Sequence, residues 1–327
     1  MEWRQGWVML SLELIAQAQH RLRGRVKRTP LVSAEALSRR LGARVSVKLE
    51  CLQKTGSFKP RGAFNKMLTL TAAERDRGVV AVSGGNHAQG VAFAARQLGI
   101  AAVIVMPEST PHNYVDATRG YGADIVLTPN IAAAFAECNR LRDAGRVLVH
   151  PFDDPLVAAG QGTVGLEILE DAPDVTRVYI SIGGGALITG MAVALRSIRP
   201  DLHIVGVQTH GANAMAQSLA ANRLVELPAI TSIARTLGAP KVCEFTLDHV
   251  RRLVNEVMVV DDAAAFASLA FLLERTKYLV EPAAACCLAA AEQQREQLRS
   301  DDHVVILMCG GNLSVQDLCA FRQLFPN

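Results

Sequence analysis

Lysine is the scarce residue of this chain: of 34 basic side chains only 7 are lysine, against 27 arginines. No block of like charge occurs either. The 34 basic and 31 acidic residues are interspersed to a net charge of +3, so the electrostatic footprint of a nucleic-acid or membrane-surface protein is missing. Cysteine is present but unpatterned. Cys51, Cys138, Cys243, Cys286, Cys287, Cys309 and Cys319 include no C-x-x-C pair and no Cys/His cluster at zinc spacing. An odd set of thiols in a chain large enough to build its own core reads as free cysteine in a reducing cytoplasm.

Long apolar runs are lacking as well. The uncharged stretch Val178 to Leu195 approaches the length of a bilayer span, but three consecutive glycines at its centre suit a loop between strand and helix. The apolar run Trp7 to Leu10 is cut by Glu13 before a signal-peptide core could form. A soluble, cytoplasmic protein without membrane partners is expected. Repeats, low-complexity tracts and glycine-serine linkers are missing too, while half of the residues are apolar and a fifth charged, as in folded globular chains.

What the sequence does contain is alternation. Strand-like runs at Val79–Val82, Ala102–Met106, Asp124–Leu127, Val178–Ile182, Ile204–Val207 and Val304–Met308 are separated by helix-length stretches. The latter end at Leu98-Gly99, at Tyr121-Gly122, after Ile131–Ala144, and at Arg199-Pro200. Short apolar strands between helices of ten or more residues predict an α/β protein with parallel sheets. At about 150 residues per domain, the 327 residues correspond to roughly two domains. Composition breaks at Leu70-Thr71 and at Val149 to Pro155 place a small domain, 73–150, inserted into a larger one formed by 1–72 and 151–327.

Four motifs carry chemistry. In Gly56-Ser57-Phe58-Lys59-Pro60-Arg61-Gly62 a lysine stands before the proline that opens a helix. Lysine is ordinarily a solvated surface residue, but its amine forms a Schiff base with a carbonyl cofactor, which arginine cannot do. Ser83-Gly84-Gly85-Asn86-His87 follows a strand and opens a helix, an arrangement whose backbone N–H groups suit a carboxylate or phosphate; the plainer reading is a tight βα turn. Ser181-Ile182-Gly183-Gly184-Gly185-Ala186-Leu187 repeats that arrangement. A dinucleotide fingerprint fails at Ile188 and Gln208, and a P-loop fails at Met191-Ala192, which leaves a cup for one phosphate monoester. Met308-Cys309-Gly310-Gly311-Asn312 closes the last strand, where parallel sheets place ligand contacts. One lysine, one carboxylate turn, one phosphate cup and one strand-end polar group together match the needs of a pyridoxal phosphate enzyme acting on an amino acid.

With these motifs in this order, the chain resembles the fold-type II pyridoxal-phosphate enzymes (tryptophan synthase β-like), in the branch of serine/threonine dehydratases (threonine ammonia-lyases) and serine racemases. The likeness runs from Arg28-Thr29-Pro30-Leu31 through Leu49-Glu50 and Ala159-Gly160-Gln161-Gly162-Thr163 to Cys309-Gly310-Gly311-Asn312. It implies two lobes, each with a mostly parallel sheet flanked by helices, and a homodimer. It also implies β-elimination of a hydroxy amino acid such as L-serine or L-threonine to a 2-oxo acid and ammonia. By the same resemblance Lys59 carries the cofactor and acts as base. Phe58 packs by the ring, Asn86 bonds the ring hydroxyl, and Gly183, Gly184, Gly185, Ala186 and Leu187 bind the phosphate. Cys309 faces the pyridine nitrogen, where many relatives carry serine and the mammalian-type serine dehydratases cysteine. Ser83, Gly84, Asn86 and His87 hold the substrate carboxylate. Glu281-Pro282-Ala283 matches a family motif without an assigned role.

The sequence departs from the pattern in three places. Ala186 replaces a fourth glycine, so positive φ is not expected there. Gly84 stands where racemases carry the serine that reprotonates Cα, so elimination is expected to outpace racemisation. Gln208 to Ala214, where several relatives hold a divalent cation on acidic side chains, contains no carboxylate, so no metal is expected. A C-terminal regulatory domain is not expected after the last motif. Racemisation, a specialised dehydration such as that of hydroxyectoine breakdown, and a cofactor-binding pseudoenzyme remain the alternatives.

Overall fold

The alternating pattern resolves into two sheets. The structure is a computed structural model that describes residues 9–326; Trp7 and Val8 of the N-terminal apolar run, and the outermost residues of the segments 1–72 and 151–327, lie outside them. Its strands are β1 (Leu31–Ser33), β2 (Arg44–Lys48), β3 (Val79–Val82), β4 (Ala102–Pro107), β5 (Asp124–Thr128), β6 (Val147–Leu148), β7 (Arg177–Ser181), β8 (His203–Thr209), β9 (Glu256–Val260) and β10 (His303–Leu307). The smaller sheet has the order β5-β4-β3-β6 and is parallel throughout. The larger has the order β1-β2-β10-β7-β8-β9, parallel except for the β1–β2 pair.

Helices cover both sheets, which is why central strands such as Val79-Val80-Ala81-Val82 and His303 to Leu307 are buried along their whole length. The six strand runs expected from sequence are β3, β4, β5, β7, β8 and β10, displaced by a residue or so at their ends. β1, β2, β6 and β9 were not foreseen. β1 and β6 are three and two residues long, and β2 carries a charged residue at either end.

Two devices fix the helix that begins at Lys59. The first is a buried charge cluster. Arg61 donates from Nε to Glu50 Oε2 (2.9 Å) and from one terminal nitrogen to Glu167 Oε1 (2.6 Å), and Lys48 Nζ donates to Glu167 Oε2 (2.6 Å). Two cations and two carboxylates balance, with Thr29 and Thr163 hydroxyls donating to Glu50 and accepting from Arg61. Burial at this depth is tolerable because the lone pairs are used.

The second device is glycine. Helix Pro155–Asp171 lies between helix Lys59–Leu68 and helix Ala186–Ile198. A Cβ on Gly160 would stand 2.5 Å from the Arg61 carbonyl oxygen, and one on Gly190 would stand 2.0 Å from the Ala158 carbonyl oxygen. The three helices therefore pack backbone against backbone, and the separation between Lys59 and the loop before Ala186 is set by contacts that leave no slack.

Candidate active site

Lys59 is the first residue of its helix, with Pro60 next to it at a position where no backbone N–H is needed. The segment before it is stitched to the end of the last strand. Phe58 N–H donates to the Cys309 carbonyl (3.1 Å), Ser57 bridges Gly310, and Cys51 N–H donates to the Met308 carbonyl (2.8 Å). The helix opened by the asparagine loop packs on the other side, where a Cβ on Gly90 would stand 2.9 Å from Lys59 Cβ. Three motifs distant in sequence thus converge on one amine.

Lys59 is half-buried and, among the described residues, its amine makes no hydrogen bond or ion pair; the Phe58 ring centre lies 5.1 Å from Nζ. Burial lowers the Lys59 ammonium to about 8, outweighing the opposing pull of Cys309 and Glu281. Cys309 is buried as well, and burial followed by the Glu281 charge pushes its thiol well above the usual range, so it stays neutral.

The glycine loop follows β7. Gly185 has φ +104° and caps helix Ala186–Ile198, whose first N–H groups lack intrahelical partners. Positive φ stops at Gly185 and does not extend to Ala186. The Thr246 hydroxyl donates to the Gly184 carbonyl (2.9 Å), drawing that oxygen away, and a Cβ on Gly184 would fall 2.0 Å from the Phe152 ring. The loop lines a small cavity of about 50 Å³ together with Phe58, Lys59 and Cys309. This opens toward a cleft of about 420 Å³ that includes Ser83, Gly84, Asn86 and His87. The residues singled out from sequence are therefore all brought together.

Their details add what the motifs could not show. Ser83 Oγ accepts from Gly85 N–H (3.1 Å), tightening the turn. Gly84 is pressed against Thr110, whose Oγ1 would stand 2.6 Å from an added Cβ. The His87 ring gives its Nε2 to the Val149 carbonyl (2.8 Å); a carbonyl only accepts, so the proton sits on Nε2. Burial and the Lys59 charge lower His87 to about 3, and the ring is neutral. Asn86 Nδ2 donates to Glu281 Oε1 (2.8 Å), and Asn86 Oδ1 accepts from Asn312 Nδ2 (2.7 Å). One Nδ2 hydrogen of Asn86 remains for a ligand. Glu281, Asn312 and Tyr114 were not predicted as site residues. Tyr114 donates to the Asn312 carbonyl (2.6 Å) across the cleft. Asn312 closed the last of the four motifs and Glu281-Pro282-Ala283 matched a family motif, but neither was given a role, and Tyr114 carried no signal in the sequence.

A desolvated amine with no ion-pair partner among the described residues, a glycine cup at a helix N-terminus and a neutral donor at a strand end define a site for a phosphorylated carbonyl compound. The family described as pyridoxal-phosphate dependent enzyme matches residues 22–310. The L-threonine ammonia-lyase of Geobacter sulfurreducens is 45% identical over 84% of this chain and 69% of its own length. Among solved structures, maize serine racemase superposes with a TM-score of 0.91 at 35% identity, covering 97% of this chain and 98% of that one. The processed threonine deaminase isoform 2 of Solanum lycopersicum gives 0.90 at 33% identity, over 95% and 87%. The chain belongs to the pyridoxal-phosphate dependent enzymes, with the fold-type II architecture.

The residues present fit that cofactor. The cup is bare backbone, with no room for a Cβ at Gly184 beside the Phe152 ring, and the Lys59 amine is unpaired among the described residues.

Proposed function

We propose that this enzyme removes water and then ammonia from a hydroxy amino acid such as L-threonine or L-serine, leaving a 2-oxo acid. The observation that carries the reading is the desolvated, unpaired amine of Lys59, which shares one cavity with the phosphate cup and Cys309. When bound, pyridoxal phosphate supplies an electron sink for the substrate Cα. Lys59 holds the cofactor and, once free, accepts the Cα proton, a task for which an amine lowered to about 8 is suited. Gly183, Gly184, Gly185, Ala186 and Leu187 anchor the phosphate at a helix N-terminus. Ser83 presents its hydroxyl, and Gly84, Asn86 and His87 their backbone N–H groups, to the substrate carboxylate, and Phe58 packs beside the ring. Cys309 offers the ring nitrogen a neutral thiol, which stabilises a protonated ring far less than a carboxylate does. The larger, cofactor-binding lobe is formed by 1–72 and 151–327, the smaller by 73–150. A cytoplasmic homodimer acting on free amino acid completes the proposal.

Racemisation is the second reading, favoured by the likeness to maize serine racemase. Against it, Gly84 has no side chain to reprotonate Cα from the face opposite Lys59, and Thr110 fills the space where one would go.

One set of assays tests both. Ammonia should be released from L-threonine or L-serine, and residual L-serine should show little D-isomer at early times. Borohydride should fix the cofactor to the peptide containing Lys59, and Lys59→Ala should abolish turnover. Normal turnover in Lys59→Ala, or label on another peptide, sinks the proposal, and early D-serine moves racemisation to first place.

A further inference from the structure

We propose that Glu281 is a second catalytic group of this site, the acid that hands a proton from Oε2 to the departing β-hydroxyl. The inference rests on the elimination reading above and adds a residue to it.

The argument starts from the direction of a hydrogen-bond chain. The Thr55 carbonyl can only accept, and it accepts from Asn312 Nδ2 (2.7 Å). This fixes the Asn312 amide, whose Nδ2 also donates to Asn86 Oδ1 (2.7 Å). Asn86 must then present its own Nδ2 to Glu281 Oε1 (2.8 Å). Every bond runs the same way, so Oε1 is an acceptor, and a proton carried by Glu281 belongs on Oε2. Oε2 is buried and, among the described residues, lies within hydrogen-bonding geometry of no donor, although the Thr236 hydroxyl is near enough to favour the carboxylate. Gly310 permits the arrangement, since a Cβ there would stand 2.3 Å from Oε1. Glu281 borders both the small cavity and the cleft, beside Lys59. An orphaned oxygen in that position points to a bound molecule as its partner.

The protonation state agrees with the geometry. Burial raises the Glu281 carboxyl to about 7, against the opposing effects of Asn86, Thr236 and Lys59. The other titratable groups near it are Cys309, Cys51 and Tyr114, each held neutral by burial. Elimination needs an acid because hydroxide is a poor leaving group. Of the neighbouring side chains, His87 has committed its N–H to Val149 and Tyr114 its O–H to Asn312. The protons balance. Lys59 takes the Cα proton as the electron pair moves to break the Cβ–O bond, the Glu281 proton leaves with the hydroxyl as water, and Lys59 ammonium then returns a proton to the carboxylate.

The test is leaving-group dependence in the holoenzyme. Glu281→Gln keeps an oxygen for Asn86 and the same shape but has no proton to transfer. Ammonia release from L-serine should fall about 100-fold or more, while β-chloro-L-alanine, whose chloride leaves without a proton, should react within about threefold of the parent. Glu281→Asp should recover part of the L-serine rate. Infrared spectra of the cofactor-free protein below neutral pH should show a protonated-carboxyl band in the parent that is lost in Glu281→Gln. Equal loss with both substrates, an unchanged L-serine rate, or no such band overturns the proposal. If Glu281→Gln fails to load cofactor, the substrate ratio of Glu281→Asp and the parent band decide it. A parent that releases ammonia from neither substrate refutes the elimination reading itself, which these variant ratios do not test.

Discussion

A desolvated lysine without an ion-pair partner has an expensive ammonium, and this has a kinetic signature. The nucleophile toward a carbonyl is the neutral amine, whose share grows as pH rises. Burial brings the Lys59 ammonium down from 10.5 to about 8. The rate at which cofactor-free protein captures pyridoxal phosphate should therefore climb with pH and level off near 8. A rate still rising toward 10.5, followed by stopped-flow absorbance, would show that Lys59 is solvated as any surface lysine is. Much at this scale was legible in the sequence. Lysine scarcity and the Ser-Phe-Lys-Pro context pointed to Lys59, and the glycines to the cup. Glu281 was named without a role, because its significance lies in an unpartnered oxygen and in the direction of a hydrogen-bond chain. Both depend on Asn86, Asn312 and Gly310 meeting from distant parts of the chain.

Among the elements, the three helices packed through glycine make the sharpest forecast. Glycine inside a helix ordinarily costs about 1 kcal/mol relative to alanine, so Gly→Ala should stabilise. At Gly190 the sign should reverse, because the new Cβ would lie 2.0 Å from the Ala158 carbonyl oxygen, a backbone atom that cannot swing aside. Gly190→Ala should destabilise by about 1–3 kcal/mol in denaturant unfolding. It should also weaken cofactor binding, since the cup moves relative to Lys59. Gly165→Ala in the neighbouring helix, where the contact is 3.3 Å, should be much milder. Equal stability of the two variants would disprove the close-packing argument. The sequence showed these helices and the strands between them through apolar periodicity. It did not show β1 or β6, too short for any period to register, or β2, whose Lys48 is fully buried only because Glu167 and Thr29 receive its ammonium.

At the scale of the whole molecule, the order of strands matters more than their number. The smaller sheet uses consecutive chain, and its last strand, β6, ends at Leu148. The larger sheet has β10 between β2 and β7, so its centre is filled by a segment made long after both of its neighbours. Until His303 to Leu307 emerges from the ribosome, β2 and β7 have no common neighbour, and Cys309, Gly310 and Asn312 do not yet exist to meet Phe58, Ser57 and Asn86. Ribosome-arrested chains that stop before residue 303 should hold a protease-resistant smaller sheet, while the segment around Lys59 is cleaved and binds no cofactor. Arrest far enough downstream that Asn312 is outside the exit tunnel should restore both protections. Vitamin loading in this enzyme then waits for residue 312, and a product terminated before it withdraws no pyridoxal phosphate from the cell.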